Sequence, residues 1–207
     1  MTDKIALHYI DEALLVVEKP TGLLSVPGRL PELQDCLISR LQAVYPDALT
    51  VHRLDQVTSG LMLYARGKQM QIALSGQFEK RLVSKRYEAV LEGLLEGESG
   101  EVTLPLIGDW PNRPKQKVDV ELGKPALTRW RVLARDFPAQ RTRVELEPVT
   151  GRTHQLRVHM ASLGHPIVGD ALYDAAPAQR VHLHACRLAF THPVTGEAVG
   201  FVSESPF

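Results

Sequence analysis

No stretch of the sequence approaches the roughly 20 consecutive apolar residues that a membrane-spanning helix requires. The first twenty residues hold only a very short apolar run with acidic residues on both sides. That argues against a signal peptide and predicts a soluble, cytoplasmic protein with no membrane partner. Cysteine is scarce. Cys36 and Cys186 lie far apart without C-x-x-C spacing, so they read as two reduced thiols rather than an isolated disulfide. Net charge is missing too: 24 lysines and arginines balance 24 aspartates and glutamates, which by itself argues against a nucleic-acid partner. Repeats, low-complexity tracts and linkers are absent, so one domain over residues 1–207 is the economical expectation.

What is present is an ordinary globular composition, 44% hydrophobic and 23% charged over 207 residues. A chain of that length buries roughly 70% of its unfolded surface and needs neither disulfide nor metal to hold a core. The charge, neutral in sum, is laid down in blocks: net −3 over residues 1–50, +4 over 51–90, −5 over 91–110 and +5 over 111–145. Such alternation either builds a basic face on a neutral protein or is simple surface mixing, and charge alone favours mixing.

Two short apolar runs, residues 6–10 and 14–17, flank Asp11-Glu12 and predict a hairpin. Leu37, Ile38, Leu41 and Val44 recur at helical spacing before Pro46 and predict a helix within residues 34–44. A polar stretch from Val51 ends in Gly60 and runs into a strand over 61–65. A helix over 68–80 follows, with Ile72, Leu74 and Phe78 as partial core positions. Residues 86–91 alternate as a strand. DWPNRPKQK, residues 109–117, is too polar and proline-rich for anything but a loop. Residues 128–135 and 141–147 predict antiparallel strands, 151–163 a helix, and 181–190 with 198–202 closing strands. Strands outnumber helices, so the expected class is α+β, a mixed and largely antiparallel sheet with flanking helices.

Two polar clusters stand out. His52-Arg53-Leu54-Asp55, followed by Thr58-Ser59-Gly60, packs ionisable and hydroxyl groups into a turn before a strand. Asp55 is there either as a turn cap or surface charge, or as a site carboxylate in a loop rigidly joined to a strand. The second cluster runs from Gly151 to His159. As a helix it puts Arg152, Gln155 and His159 near one face, with Leu156 and Met160 towards the core. Gly151 then frees the helix N-terminus to approach an anion, and Arg152 carries a fork suited to carboxylate or phosphate. The plainer reading is a basic surface helix with one satisfied histidine.

VHRLDQVTSGL, residues 51–61, resembles the H-R-L-D-x-x-T-S-G catalytic motif of the RluA family of RNA pseudouridine synthases. GRTHQLRVHMASLGHPIVGD, residues 151–170, resembles that family's second long signature. EKPTGLLSVPG, residues 18–28, resembles its N-terminal K-P-x-G element, and Lys85-Arg86-Tyr87-Glu88-Ala89 its K-x-Y-x-A strand. The four elements stand in the family's order. IGDWPNRPKQKV, followed by GKPALT, is similar to dual-specificity members, which modify a uridine in a tRNA anticodon loop and one in large-subunit (23S) ribosomal RNA. The chain departs from many relatives at Asp174, where G-D-x-x-Y-G is the common pattern.

The resemblance implies the pseudouridine synthase catalytic fold with an RNA-binding cleft, without the N-terminal S4-type domain of many relatives. It implies action on structured RNA, tRNA or 23S rRNA stem-loops, with no cofactor and no metal; a monomer is the default expectation, which the sequence itself leaves open. The family detaches uracil from ribose C1′, rotates it and rejoins it through C5. Asp55 holds the position of the catalytic carboxylate, acting either on C1′ or on the C2′ proton, and Arg152 that of a cation that keeps it ionised. The uridine must leave its stack. Arg53 is implied to fill the vacated space and Tyr87 to contact the flipped base. His52, Arg53, Thr58, Arg113, Lys115, Lys117, His154, Gln155 and Arg157 are implied RNA contacts, with Trp110 stacking or anchoring. Three rivals fit less well. A metal hydrolase needs ligand spacing that His154, His159, His165, His182, His184 and Asp170 do not provide. A non-catalytic RNA-binding module has no need of Asp55, Tyr87 and Arg152 together. A glycosidase needs a carboxylate pair.

Overall fold

The runs Leu14-Leu15-Val16-Val17 and Leu61–Ala65 are buried along their whole length, as strands covered on both faces must be. In the computed structural model, which describes residues 5–207, they are two of twelve strands among the described residues. In chain order the elements are β1 (Ala6–Ile10), β2 (Leu14–Lys19), α1 (Leu37–Gln42), β3 (Ala48–Thr50), β4 (Ser59–Arg66), α2 (Lys68–Glu79), β5 (Ser84–Glu92), β6 (Ser99–Val102), β7 (Leu106–Gly108), β8 (Gln116–Val118), β9 (Thr128–Asp136), β10 (Arg141–Pro148), α3 (Gln155–Ser162), β11 (Leu183–Thr191) and β12 (Ala198–Val202). The α+β expectation, with mostly antiparallel strands and few helices, holds. The chain gathers into two compact units. One comprises residues up to Lys85 with His184–Pro206, the other Arg86–Leu183 with Phe207.

In the first unit β1 pairs with β2 and β2 with β4, both antiparallel, while β4 meets β11 in parallel through Ser59 and Gly60. Strand β3 adds to β4 and β12 to β11. Leu14, Val16, Leu61, Leu63, Leu74, Leu188 and Phe190 form its core, with Met70 and Phe78 packed against it. Met70, Leu74 and Phe78 recur every fourth residue, the seam by which α2 lies on the sheet. Ile72 falls off that seam and is 64% exposed, so its expected core role is corrected. Helix α1 buries Leu37, Ile38 and Leu41, but it ends at Gln42 and leaves Val44 exposed in the following turn.

In the second unit β5, β10, β9 and β6 follow one another in antiparallel register. Strands β7 and β8 make a separate hairpin. The expectation of a plain loop over 109–117 is therefore corrected. Gln116 and Lys117 pair with Gly108 and Ile107, and the prolines sit in the tip, where a three-residue helical turn spans Trp110–Asn112. The predicted helix over 151–163 is also shorter, because His154 takes a left-handed conformation (φ 53°) and α3 begins only at Gln155. Leu106, Ala126, Val158 and Tyr173 form a small core beneath the hairpin.

Candidate active site

Asp55 lies in the loop between β3 and β4, and neighbouring segments of the first unit fix that loop residue by residue. The Leu54 side chain is buried. The Ser25 hydroxyl donates to the Leu54 carbonyl at 2.7 Å and accepts the Leu54 N–H at 3.1 Å. On the other side of Asp55, the Gln56 carbonyl accepts from the Gly22 N–H (2.9 Å) and from Lys19 Nζ (3.0 Å). Gln56 Nε2 donates back to the Gly22 carbonyl, and Thr21 Oγ1 donates to Val57. Lys19 is fully buried and also donates to the carbonyls of Pro20 and Leu23. The K-P-T-G element is thus a clamp on the Asp55 loop. A loop held by so many backbone bonds presents its carboxylate in one geometry.

The far end of the loop is tied down by a buried polar chain. Burial opposes ionisation of Glu18, but hydrogen bonds from Ser203 and His8 outweigh it and hold the carboxyl below its ordinary range. The Ser203 hydroxyl donates to Glu18 (2.6 Å), so it accepts from His184 Nε2 (2.9 Å). His184 Nδ1 lies 2.8 Å from the Ser59 hydroxyl, so the chain reaches the start of β4. His52 and Thr58, expected to contact RNA, also make interior contacts. His52 Nε2 accepts the Leu63 N–H at 2.9 Å and its ring stacks on Phe78. Burial of the ring, with the Lys85 ammonium nearby, pushes its pKa down to about 3. Thr58 is buried. Arg53 is exposed.

The second unit carries Tyr87, on β5 opposite Leu146, and Arg152. Arg152 is placed by Gln155, whose buried side chain uses both ends of its amide. Its Oε1 accepts from the Thr150 hydroxyl (2.7 Å) and the Arg152 N–H (3.0 Å), and its Nε2 donates to Leu127 and Thr128. Arg152 Nε donates to the Pro125 carbonyl at 3.1 Å. Arg157 is 4% exposed and makes a two-pronged bond to Asp170 at 2.6 and 2.7 Å. Gln155 and Arg157, both expected to contact RNA, thus face the interior, where their bonds hold Arg152 and Asp170. His154 is half-buried against the Tyr173 hydroxyl. Arg113 and Lys117 are exposed on the β7–β8 hairpin and Lys115 is partly so; the Arg113 guanidinium lies 3.0 Å over the Trp110 ring.

The histidines considered as ligands have other partners. His159 bonds Thr128 and Leu104, His184 bonds Ser59 and Ser203, His165 bonds the Glu92 carbonyl, and His182 stacks on Phe207. Motif reading did not single out Lys19, Ser25 or Tyr173 as builders of the site. The signals were there as letters, Lys19 and Ser25 in the stretch resembling the K-P-x-G element and Tyr173 in the G-D-x-x-Y pattern, but letters alone gave them no role.

Comparison of folds defines the class. The structure matches that of Human RNA Pseudouridylate Synthase Domain Containing 1 with a TM-score of 0.83, at 29% identity over 99% of this chain and 85% of that one. Human RNA Pseudouridylate Synthase Domain Containing 4 matches with a TM-score of 0.80, at 27% identity over 97% and 88%. The model of the RNA pseudouridylate synthase family matches residues 13–162, and the chain belongs to that family, isomerases that convert uridine to pseudouridine in RNA. Among curated relatives, the dual-specificity RNA pseudouridine synthase RluA of Vibrio vulnificus is 54% identical over 88% of this chain and 76% of its own length. That of Pasteurella multocida is 49% identical over 97% and 93%.

Proposed function

We propose that this protein isomerises a uridine in a tRNA anticodon stem-loop and one in large-subunit ribosomal RNA, with Asp55 as the catalytic carboxylate. The N1–C1′ bond breaks, the uracil turns, and a C5–C1′ bond forms while C5 loses its proton and N1 gains one. The balance closes within one nucleotide, so no cofactor, metal or second substrate is required. Asp55 acts either on C1′ or on the C2′ proton. Tyr87 meets the flipped base, Arg152 supplies a fixed cation, and Arg53 occupies the space the base leaves. Arg113, Lys115, Lys117 and His154 bind the RNA, the three hairpin cations through phosphates. The two units serve one catalytic domain, which works as a monomer in the cytoplasm.

The observation that carries this reading is the clamp of Lys19, Gly22 and Ser25 on both sides of Asp55. A surface or capping aspartate has no need of such support. The dual-specificity relatives and the resemblance of residues 107–118 to such members support the choice of targets. The test is tritium release from C5-labelled uridine in unmodified tRNA and ribosomal RNA, comparing native protein with Asp55→Asn. Release from both RNAs by the native protein alone is expected. Release by both proteins would move the chemistry to another residue, and release from one RNA alone would reduce the target claim to single specificity.

A further inference from the structure

We infer that Tyr173 is a positioning residue for RNA binding: its hydroxyl bolts the cationic β7–β8 hairpin to the segment that carries Arg152 and His154. This rests on the reading of that hairpin as an RNA contact. A two-stranded hairpin is marginal by itself and needs an anchor. Here the tip is folded by its own turns, Asn112 N–H to Asp109 and Asp109 N–H to Lys115. The anchor is the buried phenol. Its oxygen accepts the Gln116 N–H at 3.0 Å, at the start of β8, and lies 2.7 Å from His154 Nδ1.

A phenol has one proton and two lone pairs, so it serves both neighbours at once. It accepts from Gln116 and keeps its proton and a second lone pair for the ring of His154, whose left-handed backbone immediately precedes α3. The ring is held in turn. It packs with Leu106, Ala126 and Val158, and its face carries the Arg157 guanidinium at 5.0 Å and Lys115 Nζ at 5.7 Å. Arg157 is fixed by Asp170, the residue that opens the short helical turn ending in Tyr173. A hairpin bearing Arg113, Lys115 and Lys117 is thereby referenced to Arg152, two residues before His154. Phosphate contacts set register, and that register is only as good as the bolt.

Tyr173→Phe keeps the ring and its packing and deletes only the hydroxyl. KM for unmodified tRNA should rise by about tenfold, the usual worth of a lost bond that leaves a partly buried N–H unpaired. The kcat at saturating RNA should stay within about twofold, and the fall of affinity with salt should become shallower as cations disengage. Amide hydrogen exchange of residues 109–118 should quicken while β9 and β10 stay protected, a readout independent of RNA. A double-mutant cycle with Lys117→Ala should be non-additive, with Lys117 mattering less once the bolt is gone. If Lys117→Ala alters the salt dependence of binding but Tyr173→Phe changes neither KM nor exchange, the bolt is refuted and the hairpin reading stands. If Lys117→Ala leaves that dependence unchanged, the hairpin reading falls and this inference with it. Equal losses of kcat and thermal stability with an additive cycle would make Tyr173 a core residue only.

Discussion

Lys19 carries its ammonium into a place closed to water, and three carbonyl oxygens at 2.7–3.0 Å receive it. Burying a charge is tolerated only with such partners. Lys19→Met fills similar space but leaves the Pro20, Leu23 and Gln56 carbonyls with a missing donor. The expected cost is about 2–4 kcal/mol, seen as a lower urea midpoint together with reduced tritium release. An unchanged midpoint would show that the clamp is dispensable. Asp174 makes the opposite case. It sits at φ 68°, where a side chain costs about 1–2 kcal/mol and glycine does not, and its exposed carboxylate lies 3.7 Å from Lys115 Nζ. Asp174→Gly should leave stability unchanged or slightly higher and tighten RNA binding about two- to fivefold at low salt, the worth of one exposed ion pair. Filter binding at low and high salt checks this, and weaker binding at low salt would refute it. At this scale motif letters were a partial guide. They marked His52, Thr58, Gln155 and Arg157 as belonging to a pattern, but spacing does not say which way a side chain points. Helix α3 shows why: its first six residues are all buried, so it has no solvent face from which to sort contact from support.

Gly60 joins two elements through the smallest available residue. At φ 116° it pairs with Ala185 across the parallel β4–β11 contact, and a Cβ there would run into the Ala185 backbone. Gly60→Ala should cost about 2–4 kcal/mol, since both the clash and the backbone conformation penalise it. It should also lower activity more than its stability loss explains, because the Asp55 loop runs straight into β4. Folded protein with full tritium release would overturn this. Elements with simple periodicity were legible in the sequence: the β1–β2 hairpin, β4, α2, and the β9–β10 pair with its Asp136-Phe137-Pro138-Ala139 turn. The misses share a physical cause. The β7–β8 hairpin is too short for alternation to register, and its tip chemistry hides the strands. Helix α3 starts late because the Gln155 side chain takes the Arg152 N–H and His154 turns left-handed, both of which depend on tertiary partners.

Over the whole chain, the charge blocks cancel only in part, and much of the pairing in the second unit is between mixed neighbours: Glu98 and Glu101 come from the acidic block, Glu88 and Glu145 from the basic ones. Arg129, Arg131, Arg135 and Arg143 from the basic block pair with Glu101, Glu145, Glu98 and Glu88. The mixing that charge alone favoured is what those residues do, and the hairpin cations lie apart from this network. Stability should then depend on pH with one sign in both units. His52 in the first unit, and His159 and His182 in the second, have pKa values lowered chiefly by burial, that of His52 to about 3. Each takes a proton less readily when folded than when unfolded, where it titrates near about pH 6.5, so stability is full above that value and falls as the pH drops. Carboxylates continue the trend at lower pH. Burial works against ionisation of Asp11, yet the Ala13 and Leu14 amides and His192 outweigh it and hold its pKa down, and Glu18 behaves likewise. Urea midpoints should therefore fall from pH 7 to pH 5 for both units. Trp110 and Trp130 both lie in the second unit, so their fluorescence follows it alone, while far-UV circular dichroism follows both. Replacing His52 with Gln, which keeps an acceptor for the Leu63 N–H, should flatten the pH dependence seen by dichroism more than that seen by fluorescence. A midpoint that holds or rises on acidification would mean that the buried histidines are protonated in the folded protein, contrary to the packing of His52 against Phe78 and Leu63.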